Sequence, residues 1–262
     1  MDNKLKKALI LSMLPGNLSM DDKFKMAADC GFQGMEVGPT NDPNELRMLR
    51  WASKESGIPI HSIIYGGWGK PLSSASDADG AEAIEAAKAG LQCAHDLGAT
   101  ALLLVPAVVN ADNRYIDAYE CSHLRVKELI PTAEKLGVTI CIENVWNAFL
   151  LSPLEFARYV DEFKSPWVQA YFDVGNVIGA FGFSQDWIRT LGKRIKRIHL
   201  KDFKLDGRQW TNLGDGSVNW PEVKKALGEI GYNGFMTCEL GGGDAKYLRD
   251  LSSRIDKLIL GV

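Results

Sequence analysis

EKLGVTICIEN, residues 134–144, decides the fold. An amphipathic helical pattern runs out at Leu136, and Gly137 stands where the last carbonyls of a helix need a left-handed cap. An apolar run starts immediately, at Val138, and ends on Glu143. A helix that turns through one glycine into a short buried strand is the αβ junction of an alternating α/β chain. Side chains alternate along a strand, so Thr139, Cys141 and Glu143 share one face while Ile140 and Ile142 share the other.

The same junction recurs in both directions. Gly31, Gly57, Gly98 and Gly231 each stand just past a helical pattern, and Asp21-Asp22 and Ser152-Pro153 open two others. Strands are expected over 8–13, 34–37, 58–65, 99–105, 138–143, 168–173, 195–201 and 234–240. Helices are expected near 20–30, 43–56, 77–97, 114–136, 152–164, 184–193, 220–230 and 244–260. Eight strand–helix units without an intervening linker count out to a single-domain (β/α)8 TIM barrel over residues 1–262, close to the roughly 250 residues such a barrel uses. A doubly wound open sheet is the rival.

Bulk properties narrow the function. The net charge is −3 and no basic stripe stands out, so nucleic acid and anionic membrane are poor partners. No apolar run approaches the roughly 20 residues of a membrane helix. The opening lysines and the short apolar run 8–14 invite a leader reading, but no cleavage pattern follows and the run reads as a first strand. Cys30, Cys93, Cys121, Cys141 and Cys238 are odd in number and never paired as C-x-x-C. That suits reduced thiols in a cytoplasmic protein.

Strand after strand then ends on a chemically loaded residue: Glu36, His61, Glu143, Asp173, His199 and Glu239. Active sites of barrels sit at that end. Alternation directs Glu143, Asp173, His199 and Glu239 to the lumen, where three carboxylates and an imidazole repel unless a cation sits among them. Any one of the four reads as a helix cap or a solvated strand end; four on consecutive strands read as a site. Oxygen-rich ligation with one nitrogen favours Mn2+, with Mg2+, Co2+ or Zn2+ as alternatives. Arg197 shares the lumen face one layer deeper and there needs a buried acidic partner.

At Ile142-Glu143-Asn144, YFDVGNV (171–177), IHLKD (198–202), LGDGSVNWPEV (213–223) and GYNGFMTCEL (231–240), the chain resembles the sugar phosphate isomerase/epimerase family of xylose-isomerase-like barrels. The resemblance implies that Glu143, Asp173, His199 and Glu239 bind one divalent metal, and that Glu143 and Glu239 exchange protons with a sugar or sugar phosphate through a cis-enediolate. Ketose 3-epimerisation is the favoured outcome. Free-ketose epimerases of the group usually carry a histidine where DVGN has Asn176, which places the chain nearer the sugar-phosphate branch. Relatives are often homo-oligomers.

Lys201, His61, Glu36, Asn176 and Trp68, the last in YGGWGK (65–70), are expected to contact substrate; Trp146 and Asn147 are candidates for a second wall. GGGD (241–244) opens the last helix and offers backbone N–H groups to a phosphate, although Asp244 would compete as a cap. The same acid–base barrel also suits a keto-sugar or inosose dehydratase, or a 3-keto-glycoside lyase, and a third reading is a non-catalytic sugar-binding barrel. The superfamily's endonucleases use histidine-rich multi-metal sites, and this chain has four histidines.

Overall fold

The computed structural model describes residues 5–69, 71–180 and 182–261; Lys70 of YGGWGK and the first four residues of the leader question lie outside them. The strands are β1 (Lys6–Ile10), β2 (Gly34–Val37), β3 (Ile60–Gly66), β4 (Ala101–Leu104), β5 (Thr139–Glu143), β6 (Val168–Asp173) and β7 (Ile195–Leu200). A hairpin of β8 (Asp202–Lys204) and β9 (Gln209–Thr211) and then β10 (Phe235–Cys238) follow. β1 to β7 and β10 close a parallel barrel in the order β1-β10-β7-β6-β5-β4-β3-β2, while β8 and β9 pair antiparallel outside it.

The helices are α1 (Met20–Asp29), α2 (Pro43–Ser56), α3 (Asp77–Asp96), α4 (Tyr115–Leu136), α5 (Pro153–Glu162), α6 (Val174–Ala180), α7 (Ser184–Leu191), α8 (Trp220–Ile230) and α9 (Ala245–Ile255). Ser19, Asp42, Ser76, Ser152, Asn219 and Asp244 cap six of them by accepting a first-turn N–H. Gly137 ends α4 at φ 68°, a left-handed value that a side chain resists, and β5 follows two residues later.

Strand alternation sorts the core into two parts. Ile140, Ile142, Ile198, Leu200, Met236 and Cys238 pack outward under the helices. Ala101, Leu103, Val105, Cys141, Val145 and Tyr171 form a separate cluster. Fully burying each large apolar side chain contributes roughly 1.5–3 kcal/mol, so a one-residue slip of any strand would forfeit several such terms.

Three local features depart from the expected pattern. β1 stops at Ile10 and residues Leu11–Met13 form a 3-10 turn. The chain after Asp173 goes directly into the short α6, despite two glycines, because those glycines admit close neighbours: a Cβ on Gly175 would lie 2.5 Å from Lys201 Cβ, and one on Gly179 would lie 2.2 Å from the Trp146 ring. After β7 the chain rises into the β8–β9 hairpin before α8.

That hairpin is tied down by Asp202, which is fully buried. Its carboxylate accepts hydrogen bonds from the backbone N–H of Phe203 (2.9 Å), Gly214 (2.9 Å), Gly216 (3.2 Å) and Val218 (3.2 Å), and from Trp220 Nε1 (2.9 Å).

Candidate metal centre at the barrel mouth

Glu143 closes β5, Asp173 closes β6, His199 is penultimate in β7, and Glu239 lies one residue past β10, its N–H still donating to Leu200 O at 3.3 Å. One potential ligand atom from each of the four lies within 4.8 Å of the others. His199 Nδ1 is 3.0 Å from Glu143 Oε1, 2.9 Å from Glu239 Oε2 and 4.0 Å from Asp173 Oδ2. Asp173 Oδ2 and Glu239 Oε2 are buried and, among the described residues, are met by the ion pairs with Lys201 and His199 rather than by further hydrogen bonds of good geometry. Three oxygen donors and one imidazole nitrogen aimed at one point fit a divalent cation of the Mn2+ or Mg2+ kind.

Two further groups hold the quartet in place. Asn144 receives Asp173 in a reciprocal pair: its side-chain nitrogen donates to Asp173 O and its side-chain oxygen accepts from Asp173 N, both at 2.8 Å. The Asn176 N–H donates to Asp173 Oδ1 at 2.7 Å, and the Asn176 side chain donates to Asn144 O at 2.9 Å. Asn176 therefore lines the mouth and at the same time fixes the Asp173 carboxylate.

Glu36 and His61 lie below the mouth. Glu36 is fully buried beneath the quartet, 2.8 Å from His199 Nε2 and hydrogen-bonded by the Tyr171 hydroxyl. It touches histidine rather than lining the mouth. Its geometry is that of a carboxylate that orients a metal-binding imidazole and fixes its tautomer.

His61 is the second residue of β3, not near its end, and so lies deep in the barrel. It stacks on Phe235 with ring centroids 4.2 Å apart and meets Thr237 Oγ1 at 3.1 Å. Burial, and then the positive charge of Arg197, push its pKa well below the usual imidazole range.

Among the described residues Arg197 finds no acid. Its guanidinium donates to Thr100 Oγ1 (2.7 Å) and to the carbonyls of Lys196 (2.9 Å) and His61 (3.4 Å), and lies 5.7 Å from the Phe235 ring centroid. The expected buried carboxylate is replaced by neutral acceptors and an aromatic face.

Lys201 reaches into the mouth and pairs with Asp173 Oδ2 at 3.2 Å and with the Glu239 carboxylate. Above it a cavity of about 450 Å³ is walled by Trp68, Trp146 and Trp210. Trp210 is contributed by the β8–β9 hairpin, which is not among the expected strands. Asn147 does not reach this wall: its side chain donates to Ala107 O at 2.8 Å and is buried behind it.

Burial and neighbouring charge act on the quartet in opposing directions. Burial works against a charged His199, but Glu36 and Glu239 outweigh it and raise its pKa well above the ordinary range. Burial also pushes Glu143 up to about 7, against the pull of His199. Glu239 goes the other way: burial opposes its ionisation, yet His199 and Lys201 hold it at about 2.

A cation approaching the carboxylates meets His199 Nδ1, so binding must release the proton there and any proton on Glu143. The apo protein thus binds more protons than the loaded one, and Mn2+ affinity should rise with pH through about 7 and above. Calorimetric titration between about pH 6 and 8, in buffers of different ionisation heat, reads the release directly; heats independent of buffer would contradict it.

The histidine support makes a separate prediction. Glu36→Gln keeps the shape but replaces the acceptor charge beneath Nε2, and should weaken Mn2+ binding by roughly 10- to 100-fold. Equilibrium dialysis measures it, and an unchanged affinity would remove Glu36 from the orienting role.

Comparison with known proteins places these features. A family profile described as "Xylose isomerase-like TIM barrel" matches residues 24–257. The chain is 24% identical over 242 residues to L-ribulose-5-phosphate 3-epimerase UlaE of Escherichia coli K12, covering 87% of this chain and 84% of the relative. D-allulose 3-epimerase from Methylomonas sp., solved with D-allulose, superposes with a TM-score of 0.81 at 18% identity over 97% of both chains. The 3-keto-D-glucoside 4-epimerase YcjR from E. coli superposes with a TM-score of 0.83 at 16% identity, over 97% of this chain and 100% of the other. At such identities the two structures share the fold. Among the described residues no helix is long and apolar enough to cross a membrane.

Proposed function

This chain belongs to the xylose isomerase-like TIM barrel family, and on that premise we propose that it is a divalent-metal-dependent sugar epimerase acting at the carbon next to a ketose carbonyl. The observation that carries the reading is the placement of two glutamates around one donor point: Glu143 and Glu239 contact the same His199 nitrogen from the two ends of the arc β5-β6-β7-β10. The epimerase names of the relatives agree with it.

Glu143, Asp173, His199 and Glu239 would hold the metal, with Mn2+ favoured by the donor set. A divalent metal held there would supply positive charge that offsets the negative charge developing on the substrate when the proton beside its carbonyl is removed. Glu143 and Glu239 approach the substrate carbon from opposite sides; one removes its proton and the other delivers one to the opposite face, which inverts the centre. Lys201, already balancing Asp173 and Glu239, adds a fixed positive charge at the rim. Glu36 keeps the His199 ring in one orientation throughout.

The test is solvent exchange. With Mn2+-loaded protein in D2O, a ketose substrate should gain one deuterium at the carbon beside its carbonyl and yield an epimer otherwise unchanged in composition. A product that has lost water or an aglycone would mean elimination instead, and no incorporation with any ketose or ketose phosphate would refute the reading.

A further inference from the structure

We propose that the substrate is a neutral, unphosphorylated keto-sugar held against the wall of Trp68, Trp146 and Trp210, because the backbone nest after β7 is filled by the protein's own Asp202 and, among the described residues, the mouth offers a single cation that is already paired. The inference rests on the epimerase reading above and narrows its substrate. It also runs against the phosphate preference expected from DVGN.

Barrels that bind phosphate commonly do so in the loops after the seventh and eighth strands, where consecutive backbone N–H groups converge. After β7 that convergence exists, but Gly214, Gly216 and Val218 all donate to Asp202. The fit is close: a Cβ on Gly216 would lie 2.0 Å from Asp202 Oδ1. After β10 the GGGD turn is engaged in part. Gly243 N–H donates to Met13 O at 3.1 Å, and Asp244 caps α9 by accepting from Tyr247 N at 2.9 Å. A phosphate after β7 would meet the Asp202 carboxylate instead of free donors, and one at the start of α9 would lie beside the Asp244 carboxylate.

The mouth offers no replacement. Among the described residues lining it, the one cation is Lys201, and its ammonium is paired with Asp173 and Glu239. Arg208 near the hairpin turn donates to Gly179 O and lies over Phe203. A phosphate dianion entering a mouth that already holds acidic groups would gain little from so few free donors.

The walls are built for a different surface. Trp68, Trp146 and Trp210 are 52%, 43% and 45% exposed, unusual for the largest apolar side chain, and all three face the same cavity. Trp146 and Trp210 stack with centroids 5.1 Å apart and planes 24° apart, and Phe203 supports both edge-on. The Trp146 N–H is held by Asn176 O at 2.9 Å, which fixes the ring, and Lys201 Nζ lies 5.5 Å from the Trp210 ring centroid. An electron-rich aromatic face packs well against the C–H face of a sugar ring and gains nothing from a phosphate.

The experiment compares exchange rates in D2O for Mn2+-loaded protein with L-ribulose, D-allulose and L-ribulose 5-phosphate. A neutral ketose should show a kcat/KM at least about 10-fold above the phosphate. Trp210→Ala should raise KM for the neutral ketose about 10-fold or more, with a smaller fall in kcat, and Trp210→Phe should recover most of the loss. Preference for the phosphate, or an unchanged KM in Trp210→Ala, overturns the inference while leaving the epimerase intact. No exchange with any of the three overturns both.

Discussion

Glu143→Gln should abolish epimerisation while leaving the barrel folded, with kcat falling by about 10²- to 10⁴-fold at saturating Mn2+. Glutamine fills the same space and keeps one acceptor oxygen near His199, so the loss is of proton-carrying capacity and charge rather than of shape. Because Glu143 is also a candidate ligand, Mn2+ binding should weaken in the same variant, and the comparison is meaningful only once dialysis has fixed the metal concentration that saturates it.

The two-base arrangement adds a sharper expectation. Glu239 stays in place on its own side, so the variant should still exchange the proton of one epimer with solvent but not invert it. One-sided wash-out without interconversion is the signature of two separate acid–base groups. A variant with kcat within tenfold of the native protein, or one that loses both faces of exchange while still saturated with metal, would contradict the assignment.

The clustering of the four candidate ligands is legible because they lie at the ends of adjacent strands, and the period-two alternation that buries Ile142 and Leu200 outward necessarily turns Glu143 and His199 inward. Glu36 and His61 show where such reasoning stops. In the sequence both look like polar residues on a strand near the mouth. Their heights depend on the stagger between strands, and β3 begins only at Ile60 and pairs with β2 through a register shift that sets Glu36 opposite Ser62. Stagger is a property of the closed barrel and leaves no local trace in composition.

The β8–β9 hairpin was missed for a different reason. Its strands are three residues each, too short for alternation to register, although Asp206-Gly207 at its turn is a hairpin signal that was there to be read. α6 was hidden by its glycines, whose value lies in the approach of Lys201 and Trp146 rather than in helix propensity.

The hairpin also carries the largest expected effect on stability. Asp202 lies in the charge-crowded IHLKD run, yet its carboxylate is fully buried and accepts five hydrogen bonds, four from backbone N–H groups and one from the Trp220 indole. Asp202→Asn preserves the shape but puts an NH2 group where an oxygen accepted, so at least one set of N–H donors is left facing another donor in a buried site. Asp202→Ala removes every acceptor at once.

A bond to a charged acceptor is worth about 1.5–3 kcal/mol, and unsatisfied buried donors add their own desolvation cost, so Asp202→Ala should lose roughly 3–5 kcal/mol. For a chain of this size that is a fall in Tm on the order of 10 °C. Local effects should precede global ones. With loop 213–218 and the hairpin released, Trp210 no longer holds its place beside Trp146, so limited proteolysis should cut between residues 203 and 218 at temperatures where the barrel is intact. Substrate KM should rise before kcat falls. Denaturant unfolding with metal held constant measures the first effect and mapped cleavage sites the second. A midpoint within about 0.5 kcal/mol of the native protein would mean that these five bonds do not anchor the wall of the mouth.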